Sequence, residues 1–256
     1  MPPANATHRF TSRVANYVRY RPGYPREIVP MLERECGLSP RAVIADIGSG
    51  TGLLAQIFLD QRYTVVGIEP NAEMRKAGEA MLARYSRFHS VNGSAEATTL
   101  PDKNVDVIVA GQAWHWFDVP AAAKEFRRVL KPGGLIVLVW NTRHTKATPF
   151  LVDYERLLRT YCEEYAAVDH RASDPAEVGI PLTRADFPNT QVFDLEGVRG
   201  RLLSSSYAPD SGQAKHTSML AELKRIFDLH QINGEVTFTY TTEVFYGRTE
   251  KAASDD

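Results

Sequence analysis

Residues 43–55 read VIADIGSGTGLLA. An apolar, β-branched run reaches Asp46, three glycines follow on alternate positions at Gly48, Gly50 and Gly52, and helix formers then take over. Glycine loses more conformational entropy on folding than any other residue, so three within five positions need a reason. Two readings stand side by side. Either the glycines let a strand and a helix pack tightly, or they let a ligand come up against bare backbone.

The chain downstream sets the class of fold. Four more apolar runs follow VIADI (43–47): TVVGIE (64–69), FHSV (88–91), VDVIVA (105–110) and LIVLVW (135–140). They are continuously apolar rather than alternating, the pattern of strands covered on both faces. Helix signals separate them. NAEMRKAGEAMLARY (71–85) opens on an Asn suited to an N-cap, with an acid in the first turn. DVPAAAKEFRRVL (118–130) places Asp ahead of a first-turn Pro, and KPGG ends it. Alternating strands and helices predict an α/β, doubly wound domain with a mostly parallel sheet and right-handed crossovers. Around this core the spacing predicts helices over 25–37, 150–165 and 220–230, strands over 191–196 and 235–246, and a polar, turn-rich stretch over 204–216.

With 256 residues and 43% hydrophobic content, the chain can build one substantial core. A single domain over 1–256 is expected: a cap over 1–37, a ligand-binding core over 38–145, pocket-forming insertions and the last strands over 146–250, and a disordered tail over 251–256. Lys and Arg number 30 against 31 Asp and Glu, a net charge of −1, which argues against a nucleic-acid surface. Cys36 and Cys162 fall in predicted helices and form neither a metal-site pattern nor a disulfide framework, so no metal is expected. MPPANATHRFTSRVANY lacks the apolar core of a signal peptide, and no apolar run approaches membrane-span length. A cytoplasmic protein without a membrane partner is expected; the oligomeric state is left open.

A dinucleotide-binding turn reads G-x-G-x-x-G. Here the glycines read G-x-G-x-G, and Leu53 stands where the third dinucleotide glycine belongs. Glu69 ends the second run, where a carboxylate accepts from ribose hydroxyls; that serves a dinucleotide and S-adenosylmethionine (SAM) alike. The series DIGSGTG, VVGIEPNAEM, GSAEATTLP, VDVIVAGQAWHWF and LKPGGLIVLVWN discriminates further. In this order and spacing the chain resembles the class I SAM-dependent methyltransferases, type 11-like, over roughly residues 40–141. RYRPGYP (19–25) and QAWHWF (112–117) resemble a small-molecule branch containing trans-aconitate methyltransferase relatives.

The resemblance implies a seven-stranded Rossmann-like sheet, SAM as cofactor, S-adenosylhomocysteine as product and a small-molecule methyl acceptor. It assigns Gly48, Ser49, Gly50 and Gly52 to the loop under the methionine part of SAM, and Asp46 to holding that loop toward the ligand's ammonium. It gives Glu69 to the ribose hydroxyls, Pro70 and Met74 to the border of the adenine, and Ser94, Ala95 and Glu96 to the adenine edge. Ser94 stands where many relatives have Asp. Gln112 and Ala113 would face the methionine end.

The methyl of SAM is already activated, so catalysis is mainly alignment of the acceptor atom. A carboxylate acceptor needs no base, whereas a hydroxyl benefits from one. His115 is the candidate general base, set against simple packing among aromatics. Trp116, Trp140 and Asn141 are expected at the pocket rim, and Tyr17, Tyr20 and Arg21 in a lid where Arg21 can pair with a carboxylate. The expected function is O-methylation of a carboxylate or hydroxyl on a small molecule. A catalytically idle SAM-binding module and an NAD(P)-dependent Rossmann oxidoreductase are the alternatives, the second disfavoured by the glycine spacing.

Overall fold

The computed structural model describes residues 13–165 and 174–250. In it the five apolar runs become β1 (Val43–Ile47), β2 (Thr64–Ile68), β3 (Phe88–Val91), β4 (Val105–Gly111) and β5 (Leu130–Arg143), all parallel to one another. Two more strands extend the sheet: β6 (Thr183–Phe193) pairs antiparallel with β7 (Val236–Arg248), which pairs antiparallel with β5. The order is β3-β2-β1-β4-β5-β7-β6. The chain winds outward one way from β1 and the other way from β4, so the gap above their carboxyl ends is the topological switch point, where open α/β sheets bind ligands.

Strand alternation feeds two cores. Ile44, Val107, Val109, Val137 and Val139 pack with α2 (Ile28–Cys36) and α3 (Leu53–Asp60) on one face. Ala45, Ile47, Ile108, Leu138 and Trp140 pack with Trp114 and with Phe126 of α5 (Val119–Val129) on the other. The expected caps form: Asn71 accepts from the Glu73 and Met74 amides at 3.0 Å to open α4 (Ala72–Met81), and Asp118 accepts from Ala121 to open α5. KPGG does more than end α5. It shifts the β4–β5 register between Val105–Leu130 and Val107–Leu135, with Gly133 at φ +73°.

A third core joins α6 (Pro149–Tyr161), α7 (Leu195–Leu203), α8 (His216–His230) and the start of β7, through Tyr154, Leu158, Val198, Leu202, Met219, Leu223, Phe238 and Tyr240. Because β7 runs antiparallel and pairs Tyr240 with Arg143, this core stands at the carboxyl end of β5, the same end as the switch point. The strand expected over 191–196 departs from observation. It begins at Thr183, and Asp194 ends it by capping α7, accepting from Gly197 at 2.8 Å. TRADFPNT hides a strand because it is polar and contains Pro188, which an edge strand tolerates. The tail expected over 251–256 lies outside the described residues, as do the first twelve positions of the expected cap. Among the described residues no helix is long and apolar enough to cross a membrane.

Candidate active site

The glycine loop lies at the switch point, and its geometry answers the question raised by its composition. Gly48, Gly50 and Gly52 take φ of +66°, +55° and +83°, the left-handed region that side chains disfavour. A Cβ on Gly48 would lie 2.8 Å from that of Ala113, and one on Gly52 would lie 2.4 Å from Leu82 Cδ1. At both positions the space kept free by glycine is filled by the protein itself. The loop amides are also occupied: Gly48 and Ser49 donate to Ile68 O at 2.9 and 3.1 Å, and Gly52 to Ser49 O at 2.8 Å. The donors that would cradle a pyrophosphate are therefore engaged.

Two carboxylates flank this loop. Glu69 accepts from Gly50 N at 2.9 Å and from Asn71 N at 2.8 Å, clamping the loop to the end of β2. Burial raises its pKa in spite of those two amides and the nearby Arg75 charge. Asp46 is 1% exposed, and neither of its oxygens meets a hydrogen-bond partner among the described residues. Burial pushes its pKa up to about 7; the Ala55 amide, short of hydrogen-bonding geometry, offsets part of the rise, and Glu69 adds to it. Across the switch point, Gln112 holds φ +53°, donates Nε2 to Asn141 O at 3.1 Å and leaves a buried Oε1 without a donor among the described residues. Buried acceptors without donors mark a place for a ligand that brings its own. Two acids here favour a cation and oppose a phosphate.

The other residues expected around the loop are spread more widely. Met74 is buried, with its Cε 3.3 Å from where a Gly50 Cβ would stand, whereas Pro70 is exposed. Ser94 and Ala97 exchange backbone hydrogen bonds in a turn that buries Ala95. Glu96 accepts from Asp118 N at 2.9 Å and so helps to anchor the start of α5. His115 belongs to a single 3-10 turn, Trp114–Trp116, with its ring centroid 4.8 Å from that of Trp116. Trp140 turns away from the expected rim: strand alternation sends it into the core, against Phe245 at 5.7 Å.

Asn141, one position on, faces the other way and holds a strap. Its Nδ2 donates to Gly23 O at 3.1 Å, and its Oδ1 accepts from Thr242 and Asn189. Gln191 donates to Tyr20 O at 3.2 Å, and Asn189 also reaches Gly23 O at 2.9 Å. RYRPGYP is thereby tied across the strand ends, and Tyr24 comes so close to Gly111 that a Cβ there would lie 2.5 Å from its hydroxyl. The preceding helix, α1 (Val14–Tyr20), lies along α7 and reaches α4. Arg13 bonds to Ser205 O and, at 2.7 Å, to Ala208 O and Asp210; Arg21 donates to Ser204 O at 2.9 Å and stacks 4.9 Å over Tyr17. Tyr24, Asn189, Gln191 and Arg201 were not singled out from sequence. The signal for Arg201 was helical spacing with Val198, Leu202 and Ser205, which puts it on the buried face of α7.

Comparison with known proteins agrees with this arrangement. The model of a family described as a methyltransferase domain matches residues 45–138. An uncharacterized methyltransferase of Schizosaccharomyces pombe is 32% identical over 243 residues, covering 92% of this chain and 95% of its own. One of Mycobacterium tuberculosis is 39% identical over 134 residues, so that this chain spans about half of that relative's length (52%) and half of its own (52%) is matched. Among solved structures, a candidate type II methyltransferase of Anaeromyxobacter dehalogenans superposes with a TM-score of 0.66 at 22% identity, over 91% of this chain and 99% of that one. A phosphoethanolamine N-methyltransferase of Haemonchus contortus, solved with SAM, gives a TM-score of 0.53 at 15% identity, over 96% of this chain and 59% of that one. The sheet order, the glycine loop with its two acids, and a relative matched along nearly its whole length place this chain in the class I SAM-dependent methyltransferase family.

Proposed function

We propose that the chain binds SAM at the glycine loop and transfers its methyl group to a small-molecule acceptor, by O-methylation of a carboxylate or hydroxyl. The observation that carries this reading is the unpartnered Asp46 carboxyl beside buried Glu69, at the switch point of the sheet. Two acids suit a ligand with an ammonium and a sulfonium, and oppose a dinucleotide pyrophosphate. When bound, SAM supplies a methyl on positively charged sulfur, already activated for displacement. Glu69 would accept from the ribose hydroxyls, Met74 would flank the adenine with Ser94 and Ala95 at its edge, and Asp46 and Gln112 Oε1 would take the ammonium end. Gly48, Ser49, Gly50 and Gly52 hold these groups in place rather than donate to the ligand.

The strap formed by residues 20–24, tied to Asn141, Asn189 and Gln191, would cover the strand ends and set the direction from which a small acceptor arrives. His115 would take the proton of a hydroxyl acceptor; a carboxylate, ionised at neutral pH, requires no such step. The narrower likeness to trans-aconitate methyltransferase relatives gains no further support from the proteins named above. Titration calorimetry with SAM, S-adenosylhomocysteine and NAD is the test. Saturable binding of the two adenosyl ligands and not NAD is expected, followed by acceptor-dependent product release. Folded, ligand-free protein that binds neither adenosyl ligand would overturn the reading. Glu69→Ala should keep the fold and weaken SAM binding by at least tenfold; an unchanged affinity would remove Glu69 from the ribose role.

A further inference from the structure

Arg21, in the strap, and Arg201, beneath it, meet no carboxylate among the described residues. Arg201 on α7 is 6% exposed; its Nη1 reaches Ser205 Oγ at 3.3 Å, and its buried Nε has no hydrogen-bond partner among the described residues. Arg21, beyond its bond to Ser204 O and its stacking on Tyr17, also leaves a buried Nε unpartnered. Their charges oppose one another: burial first, and Arg201 next, lower the Arg21 pKa. The neighbouring acid, Glu155, is already shared by Arg143 at 2.8 Å, Arg159 at 2.9 Å and the Tyr165 hydroxyl at 2.6 Å. Burial works to lower the Arg201 pKa, but Tyr240, Tyr154 and Tyr207 outweigh it and raise it overall, although burial pushes the Tyr154 phenol up and keeps it neutral. Tyrosines of this kind offer ring faces and dipoles, not countercharge. Uncompensated buried charge is costly, and arginine is suited to gripping carboxylate or phosphate in two-point fashion.

We propose that Arg21 and Arg201 form an anion subsite that selects a methyl acceptor carrying a doubly negative recognition group, either two carboxylates or a phosphate monoester. The subsite rests on the methyltransferase reading and deepens it by naming the class of acceptor. Its position serves that role. Tyr24, three residues on from Arg21 in the strap, packs against Gly111 at the end of β4. Burial, then Tyr17 and Asp46, raise its pKa and Arg21 opposes them, so it stands near both the strap arginine and the glycine loop. An acceptor anchored on the pair can present another of its groups to the switch point.

Succinate and inorganic phosphate, titrated at pH 7.5 and constant ionic strength with and without saturating S-adenosylhomocysteine, test the subsite; neutral succinamide is the control. At least one dianion is expected to bind saturably in both states, and at least tenfold more tightly than succinamide. Binding of succinate alone assigns a dicarboxylate acceptor, binding of phosphate alone a phosphorylated one, and both results uphold the subsite. Arg201→Met should weaken dianion binding at least tenfold while S-adenosylhomocysteine affinity stays within twofold. Should that variant not fold, Arg21→Met is read for loss of dianion binding in the same way. The proposal is overturned if neither dianion binds the wild type, if the variant binds them equally well, or if S-adenosylhomocysteine displaces them, which would give the arginines to the cofactor's own carboxylate. Failure of S-adenosylhomocysteine to bind sinks the methyltransferase reading instead, and the titration of ligand-free protein still reads the subsite.

Discussion

Burial lifts the Asp46 carboxyl from the ordinary aspartate range to about 7, and the consequences for stability and for binding have opposite signs. Its folded-state pKa lies above the unfolded value, so between about pH 4 and pH 7 the folded chain holds the extra proton. Stability from this group is full below that window and is lost as pH rises through it, by up to about 4 kcal/mol for a shift of this size. A cationic ligand reverses the preference, because it favours the carboxylate and expels the proton. Asp46→Asn should therefore be more stable than wild type at pH 8, with a flatter stability profile between pH 5 and 8 in denaturant titrations. The same substitution should weaken SAM binding and abolish a rise in affinity from pH 6 to 8. Calorimetry in buffers of different ionisation enthalpy reads the proton directly, and binding without proton release would remove Asp46 from the ligand's surroundings. Asp46 and Glu69 could each be picked out of the chain because both sit at fixed offsets from the glycines. The orientation of the glycines was not: their vacancies at Gly48 and Gly52 face Ala113 and Leu82, which only the folded packing brings there. Arg201 escaped notice because the arginines of GVRGRLL carry no motif, and its significance lies in having no carboxylate among the described residues.

At the scale of elements, the parallel core was legible because local signals agreed, with β-branched runs, Asn71 and Asp118 caps and a glycine stop reinforcing one another. β6 and α7 were not, since an edge strand with Pro188 and a helix with glycines at 197 and 200 both violate their own propensities. The second violation has a structural reason. A Cβ on Gly200 would lie 2.0 Å from Tyr20 Cε2, so the absent side chain is what lets α1 lie down on α7. Tyr20 has little room to yield, with Phe193 edge-on at 6.2 Å and its own carbonyl held by Gln191. Gly200→Ala should therefore lift α1 and the strap behind it, costing about 1–3 kcal/mol as an overpacked contact. Acceptor turnover should fall while S-adenosylhomocysteine affinity changes less than threefold, because the glycine loop keeps its own clamps. Adding Tyr20→Ala should recover part of the loss in a double-mutant cycle. Strict additivity of the two substitutions would show that this contact does not seat the helix.

Across the whole molecule, two kinds of support meet at one end of the sheet. The glycine loop is held from below by covalent continuity with β1 and by the Ile68 carbonyl, deep in the parallel core. The strap is held from the side by Asn141, Asn189 and Gln191 on β5 and β6, and by Arg13 and Arg21 on the 204–210 turn. Polar side-chain contacts at the surface of a sheet open at lower free energy than the ladder of a buried parallel sheet, so the two supports should exchange their amide hydrogens at very different rates. Slowest exchange is expected in β1, β4 and β5, and faster exchange in α1, residues 20–24 and the outer edge of β6. Because Tyr24 packs on Gly111 and feels Asp46, a ligand seated between the loop and the strap should slow exchange in both. Hydrogen-exchange mass spectrometry with saturating S-adenosylhomocysteine should therefore show new protection over residues 14–24 as well as 48–52, leaving the β6 edge unchanged. Adding succinate or phosphate should extend it to residues 198–208, where Ser204 O accepts from Arg21 and Arg201 bonds to Ser205. Protection confined to the loop would mean that cofactor binding and closure of the strap are independent events, and that acceptor selection is set by the C-terminal core alone.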